Sequence, residues 1–204
     1  MTHSLLKPAR RRLLAAGAAG LALPALLSGC LDKSASFRGT DVGRSDIGQN
    51  WRLPDTEGEM RSAEDFKGKV AVAFFGFIQC PDVCPTTLAE LTEVKRQLGP
   101  DGERMQVLFI TVDPERDTPQ IIREYLDNFD GSFVGLRGDL EQLADAARAF
   151  KAFYAKVPGP GGEGYTMDHS AGLYFFDPEG NVRVYARYGQ PVEDMVADVR
   201  TLLG

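Results

Sequence analysis

Lys69-Val70-Ala71-Val72-Ala73-Phe74-Phe75-Gly76-Phe77-Ile78-Gln79-Cys80-Pro81-Asp82-Val83-Cys84-Pro85 is the stretch that decides the fold. Its first nine residues are a near-continuous apolar run of strand length. Such a run suits a strand buried on both faces, as in an α/β sheet. Two cysteines follow at once, each with a proline behind it. A residue before proline is pushed away from the α region. The spacing therefore predicts a loop over residues 80–84, with Cys84 at a helix cap and Pro85 at the first helical position. Both sulfurs then face a helix N-terminus, where partial positive charge favours thiolate.

Outward from this stretch the chain alternates. Trp51-Arg52-Leu53 reads as a short strand with a turn at residues 55–58. Leu88, Leu91, Val94 and Leu98 recur at helical spacing, and Gly99 can close that helix. Residues 105–112 read as the next buried strand. Thr118 and Pro119 are a helix N-cap and first position, with Ile121, Ile122, Tyr125, Leu126 and Phe129 on the apolar face. A short strand over residues 133–136 leads to Asp139, which caps a helix through Phe150. Residues 156–164, Lys-Val-Pro-Gly-Pro-Gly-Gly-Glu-Gly, read as an irregular loop. Residues 173–176 and 182–185 read as a hairpin, and Pro191 opens a last helix with Val192, Met195, Val196, Val199 and Leu202 on one face. Strands that alternate with helices and end in a hairpin and a helix describe an α/β domain with helices on both faces of its sheet. The order resembles the thioredoxin-like fold, a central mixed sheet flanked by helices.

The N-terminus has another composition. Lys7, Arg10, Arg11 and Arg12 precede an apolar run over residues 13–27, and no acidic residue occurs before Asp32. A basic head, a short apolar stretch and small residues at its end describe an export signal. The stretch ends Leu27-Ser28-Gly29-Cys30, similar to a bacterial lipobox, in which the cysteine is lipidated after cleavage. The organisation expected is a lipoprotein signal peptide over residues 1–29, a flexible tether over 30–48, rich in Gly and Ser, and the folded domain over 49–204. The domain would then sit on the periplasmic side of a bacterial membrane, held by lipid on Cys30. The run is short for a span, and nothing in the rest of the chain approaches the ~20 apolar residues of a membrane helix.

The 204 residues are 43% hydrophobic and 25% charged, an ordinary balance for one domain. Cleavage would remove four of the 23 basic residues and none of the 29 acidic ones, leaving a net charge of about −10. A chain this acidic lacks the basic surface that nucleic acid requires.

With Cys30 assigned to lipid, Cys80 and Cys84 remain as a thiol pair in an oxidising compartment. They are a disulfide, a redox centre or a metal site. Three intervening residues, against the usual two of disulfide oxidoreductases of this fold, let the sulfurs splay around a soft ion such as Cu(I). Of the two histidines, His3 lies in the signal. His169, in Tyr165-Thr166-Met167-Asp168-His169-Ser170, stands just before the penultimate strand. In thioredoxin-like folds that position faces the cysteine loop, so His169 is the candidate third ligand. Asp82 either tunes the site or is a solvated turn carboxylate. Asp168 either orients His169 or caps a strand end. Met167 reads as packing, and Asp113 and Asp117 as turn and helix-start residues.

Three segments together carry a more specific resemblance: residues 76–85, residues 112–119 (Val-Asp-Pro-Glu-Arg-Asp-Thr-Pro) and Asp168-His169-Ser170. In this order and spanning residues 69–186, they resemble the Sco/SenC family. The resemblance implies a copper site of two cysteines and one histidine, here Cys80, Cys84 and His169, holding one Cu(I) or Cu(II) per chain. It also implies a metallochaperone role in building the binuclear copper centre of cytochrome c oxidase, with that centre's subunit and other copper chaperones as partners. The alternative is a thiol–disulfide oxidoreductase that uses Cys80 and Cys84 to reduce the acceptor's cysteines. A peroxidase is disfavoured because Phe77 and Pro81, three residues before each cysteine, are not Thr. A staple disulfide is disfavoured because so short a loop adds little stability.

Overall fold

The structure is a computed structural model, and it describes residues 36–43 and 45–204. The ten strands of these residues are β1 (Thr40–Asp41), β2 (Leu53–Pro54), β3 (Met60–Arg61), β4 (Val70–Gly76), β5 (Met105–Thr111), β6 (Val134–Leu136), β7 (Tyr154–Pro158), β8 (Tyr165–His169), β9 (Leu173–Phe176) and β10 (Val182–Ala186). The helices are α1 (Val83–Leu98), α2 (Pro119–Asp127), α3 (Leu140–Phe150) and α4 (Val192–Leu203). The main sheet has the order β1-β10-β9-β4-β5-β6. β4, β5 and β6 run parallel, while β9, β10 and β1 alternate antiparallel beside them. The mixed sheet flanked by helices that the sequence leads one to expect is the one found.

Period-two alternation divides the core. Val70, Val72 and Phe74 of β4 point to one face, where α1, α2 and α4 deliver Leu88, Leu91, Ile122, Leu126, Met195 and Val199. Ala71, Ala73 and Phe75 point to the other, which α3 covers with Leu143, Ala147 and Phe150. Phe150 is the hub of the second face: its ring lies 5.1–6.2 Å from those of Trp51, Phe75, Tyr174 and Phe176. All seven residues of β4 and all seven of β5 are buried. That burial is why the apolar runs read as central strands.

Caps end the helices where the sequence places them. The Thr118 hydroxyl accepts the N–H of Ile121, with Pro119 first in α2. Asp139 and Gln142 form a reciprocal capping box at the start of α3. Gly99 closes α1 at φ +63°.

Three expectations are corrected. First, α1 begins at Val83 with Asp82 as its N-cap residue, so Cys84 lies inside the first turn and Pro85 one residue further in. First-turn N–H groups have no partner within a helix, so proline is tolerated throughout that turn and the cysteine before it can be helical. Second, part of the stretch read as an irregular loop is paired. β7 and β8 form a hairpin in which Tyr154 faces His169 and Pro158 faces Tyr165, closed by a short turn around Pro160–Gly162. Prolines are admitted there because the hairpin is a separate two-stranded ribbon with free edges.

Third, the described part of the expected tether lies on the domain. Thr40 and Asp41 pair with Tyr185 and Val184. The carboxylate of Asp198, which is fully buried in α4, accepts the N–H groups of Arg38 and Gly39 at 2.6 and 2.8 Å. The Gly48 N–H donates to the Ala149 carbonyl. The export signal and Cys30 fall outside the described residues. Among the described residues no helix is long and apolar enough to cross a membrane.

Candidate metal centre

β4 delivers the cysteine loop to one end of the sheet, and the β7–β8 hairpin brings His169 to the same place. Cys80 Sγ, Cys84 Sγ and a ring nitrogen of His169 all lie within 4.8 Å of one another. Cys84 Sγ is 3.9 Å from His169 Nε2. Both thiols are free; Cys84 is buried and Cys80 half-buried. Thiolate and imidazole bonds to zinc, a comparable late first-row ion, run about 2.3 and 2.0 Å, so donors sharing one ion stand about 3.5–4.5 Å apart. The three residues therefore fit one ion. Among the described residues no carboxylate joins them. Two sulfurs and one imidazole without a hard oxygen donor suit a soft ion such as Cu(I).

Each donor is oriented from behind. His169 Nδ1 lies 3.0 Å from the Ser170 carbonyl oxygen. A carbonyl only accepts, so Nδ1 holds the ring proton and Nε2 keeps its lone pair toward the sulfurs. The Phe77 ring meets the imidazole edge-on at 5.7 Å. The backbone N–H of Cys84, in the first turn of α1, donates to Cys80 Sγ at 3.4 Å. The helix N-terminus thus holds the Cys80 sulfur in position through this contact. It does not govern Cys84, whose thiol is pushed far up by burial, against a weaker opposing backbone hydrogen bond at Phe77. The expectation that both thiols are driven toward thiolate is corrected for Cys84: desolvation there outweighs the helix end. An arriving ion must displace that proton.

Asp82 is exposed, and its carboxylate lies 3.5 Å from the Thr86 hydroxyl, within its own helix turn. Asp168 is exposed on the face of β8 opposite Met167 and His169, and the Ser170 carbonyl takes the orienting position the sequence offered to it. Met167 is 7% exposed and packs in the second core face.

The sequence missed the clamp that holds hairpin and cysteine loop together. Arg116 pairs with the buried Asp113. Its Nη1 donates to Gln79 Oε1 in the cysteine loop and to the Tyr165 carbonyl in β8, both at 3.0 Å. Its guanidinium lies 3.8 Å from the Tyr165 ring centroid, and the Tyr165 hydroxyl donates to Asp113 at 2.9 Å. Next to it, buried Asp117 accepts the Ile78 N–H at 3.2 Å and the Thr111 hydroxyl at 2.6 Å, which pins the start of the loop. Arg137 fixes the carbonyls of Asp117 and Pro114 from below. An arginine so close to an Asp-Pro turn was the available signal, but its partners lie 37 and 49 residues away.

Arg116→Gln leaves the Asp113 carboxylate buried without its cation. The expected cost is about 1–3 kcal/mol of stability, and loosening the support of the metal donors lowers Cu(I) affinity by about 10–100-fold. Urea unfolding and chelator competition read the two effects. Unchanged copper affinity would show that the clamp does not position the site.

The SCO1/SenC family model matches residues 39–204. The chain belongs to the SCO1/SenC family. A SCO2-like protein of Rickettsia felis is 39% identical over 135 residues, 66% of this chain and 66% of that protein. The mitochondrial SCO2 homolog of Bos taurus is 35% identical over 170 residues, 82% of this chain and 62% of that protein. This chain thus spans about two thirds of the length of these relatives. The structure of Bradyrhizobium japonicum ScoI with copper bound superposes with a TM-score of 0.69 at 38% identity, over 77% of this chain and 99% of that one. That SCO1/SenC neighbour holds copper, and the donor set here fits the same ion.

Proposed function

We propose that this chain is a copper metallochaperone: it holds one copper ion per chain on Cys80, Cys84 and His169 and delivers it to the binuclear copper centre of cytochrome c oxidase during assembly. The observation that carries the reading is the cluster of two thiols and one imidazole at the end of the sheet. It is supported by copper in the ScoI neighbour and by the description of the Sco family as cytochrome c oxidase assembly proteins. Three donors leave room for an incoming acceptor thiolate, so the ion moves by ligand exchange. Cys80, half-buried, is where the acceptor arrives; Cys84 and His169 hold the ion from the inner side. Residues 1–29 serve as the lipoprotein signal, and lipid on Cys30 holds the domain on the periplasmic side of the membrane.

The free dithiol favours a second reading, a thiol–disulfide reductase. Cys80 and Cys84 would give two electrons and two protons to an acceptor disulfide and become a disulfide themselves. One experiment separates the two. The Cu(I)-loaded protein is mixed with an acceptor domain whose copper-ligand cysteines are reduced, and the copper-free dithiol with the same domain oxidised. Delivery predicts loss of one copper per chain and growth of thiolate–copper absorption on the acceptor. Copper retained by the chain in the first mixture, with thiols regenerated in the second, would replace delivery by reduction.

A further inference from the structure

The last rung of the β7–β8 ribbon is irregular, and it lies next to a metal donor. Tyr154 stands opposite His169 and Ala155 opposite Asp168, so the next pair outward is Phe153 with Ser170. In a regular antiparallel ladder such a hydrogen-bonded pair exchanges two backbone bonds, each N–H donating to the other residue's carbonyl. One of the two is in place: the Ser170 N–H donates to the Phe153 carbonyl at 2.9 Å. The return bond is diverted. The Phe153 N–H donates to the Ser170 hydroxyl oxygen, also at 2.9 Å. The Ser170 carbonyl is thereby relieved of its ladder partner, and it lies 3.0 Å from His169 Nδ1.

The two claims on that carbonyl point in different directions. Ladder bonds run across a ribbon, perpendicular to its strands. His169 Nδ1 belongs to the neighbouring residue on the carbonyl's own strand, so a carbonyl aimed at Phe153 is turned away from the ring. Serine removes the conflict because its hydroxyl accepts the Phe153 N–H in the carbonyl's place; alanine carries no such acceptor. The chain also leaves the ribbon here. Leu173 is already paired with Phe74 in the main sheet. Gly172 packs so closely on Tyr185 that a Cβ would fall 2.2 Å from the hydroxyl. The turned carbonyl is therefore held between a ribbon rung on one side and the main sheet on the other.

We propose that Ser170 is a positioning residue of the metal centre. Its hydroxyl takes the ladder bond and its carbonyl holds the Nδ1 proton. The Nε2 lone pair of His169 is thus kept toward Cys80 and Cys84 before any ion arrives. The consequence for copper rests on the copper-site reading above.

The test compares wild type, Ser170→Ala and Ser170→Thr in the full chain. Imidazole nitrogen shifts, read by NMR on the reduced, copper-free protein and assigned by their loss in His169→Ala, report the tautomer of the neutral ring. Wild type should hold the proton on Nδ1. In Ser170→Ala the Phe153 N–H reclaims the carbonyl, so the Nε2–H tautomer should appear and Cu(I) affinity should fall about 10–100-fold, with the urea midpoint near wild type. Ser170→Thr keeps the hydroxyl and should keep both wild-type values. A wild-type ring protonated at Nε2, a tautomer unchanged in Ser170→Ala, or the same loss in Ser170→Thr overturns the role of Ser170. If Ser170→Ala does not fold, the wild-type and Ser170→Thr shifts decide. Wild type that fails to bind Cu(I) overturns the copper reading alone, and Ser170 still stands or falls on the tautomer.

Discussion

His169→Ala lowers the affinity for Cu(I) by at least about 100-fold while the Cys80–Cys84 dithiol still forms and loses its disulfide. Changing only a residue that supports a ligand costs 10–100-fold, so removing a ligand costs at least the upper end, about 2.7 kcal/mol of binding. Among the described residues the remaining pair has no third donor within reach, since Met167 is packed in the core and Asp168 faces away. The fold survives because the ring is half-buried and, among the described residues, its aromatic contact is with Phe77, an edge contact worth about 0.5–1.5 kcal/mol. Chelator competition measures the first effect and thiol titration across a redox series the second. Wild-type copper affinity in the variant would remove His169 from the site.

Gly76→Ala damages stability and site together. A Cβ on Gly76 would stand 2.7 Å from the edge of the Phe109 ring and 2.9 Å from Cys84 Sγ, closer than carbon tolerates. Neither neighbour can withdraw freely. Phe109 is fully buried, between Phe74 at 5.5 Å and Tyr125 at 6.2 Å. Cys84 is fixed by the first turn of α1 and by the N–H it gives to Cys80. Overpacking of this kind costs about 1–3 kcal/mol. Displacing one donor should weaken copper by about 10–100-fold, as misplaced ligand supports do. Gly131→Ala is the control, because its nearest atom would be 3.6 Å away; it should change neither the urea midpoint nor the copper affinity. A Gly76→Ala protein equal to wild type in both would mean that the close approach of strand and sulfur is not required.

The parts legible in the sequence are those written locally. β4 and β5 announce themselves because strands buried on both faces must be apolar throughout, and α2 and α3 because Thr118 and Asp139 cap within three residues. The cysteine pair and His169 were legible as chemistry, since His3, near the start of the sequence, is the one other histidine it holds. The β7–β8 hairpin was hidden by its own turn: the Pro and Gly residues around Pro158 and Gly164 drew the eye from the alternation of Tyr165, Met167 and His169, the period-two signal that was present. The docking of Arg38 and Gly39 depends on Asp198, about 160 residues away, and no local pattern carries that. Arg116 is likewise defined by distant partners. The raised Cys84 thiol follows from tertiary burial, which one turn of sequence does not reveal.

X-ray absorption at the copper edge, on the chain loaded with one Cu(I) and on its His169→Ala variant, tests the central claim most directly. Two sulfur donors and one nitrogen in the wild type, with the nitrogen contribution lost in the variant, is the predicted result. A sulfur-only shell in the wild type, or a nitrogen signal that persists without His169, would contradict a copper centre built on Cys80, Cys84 and His169.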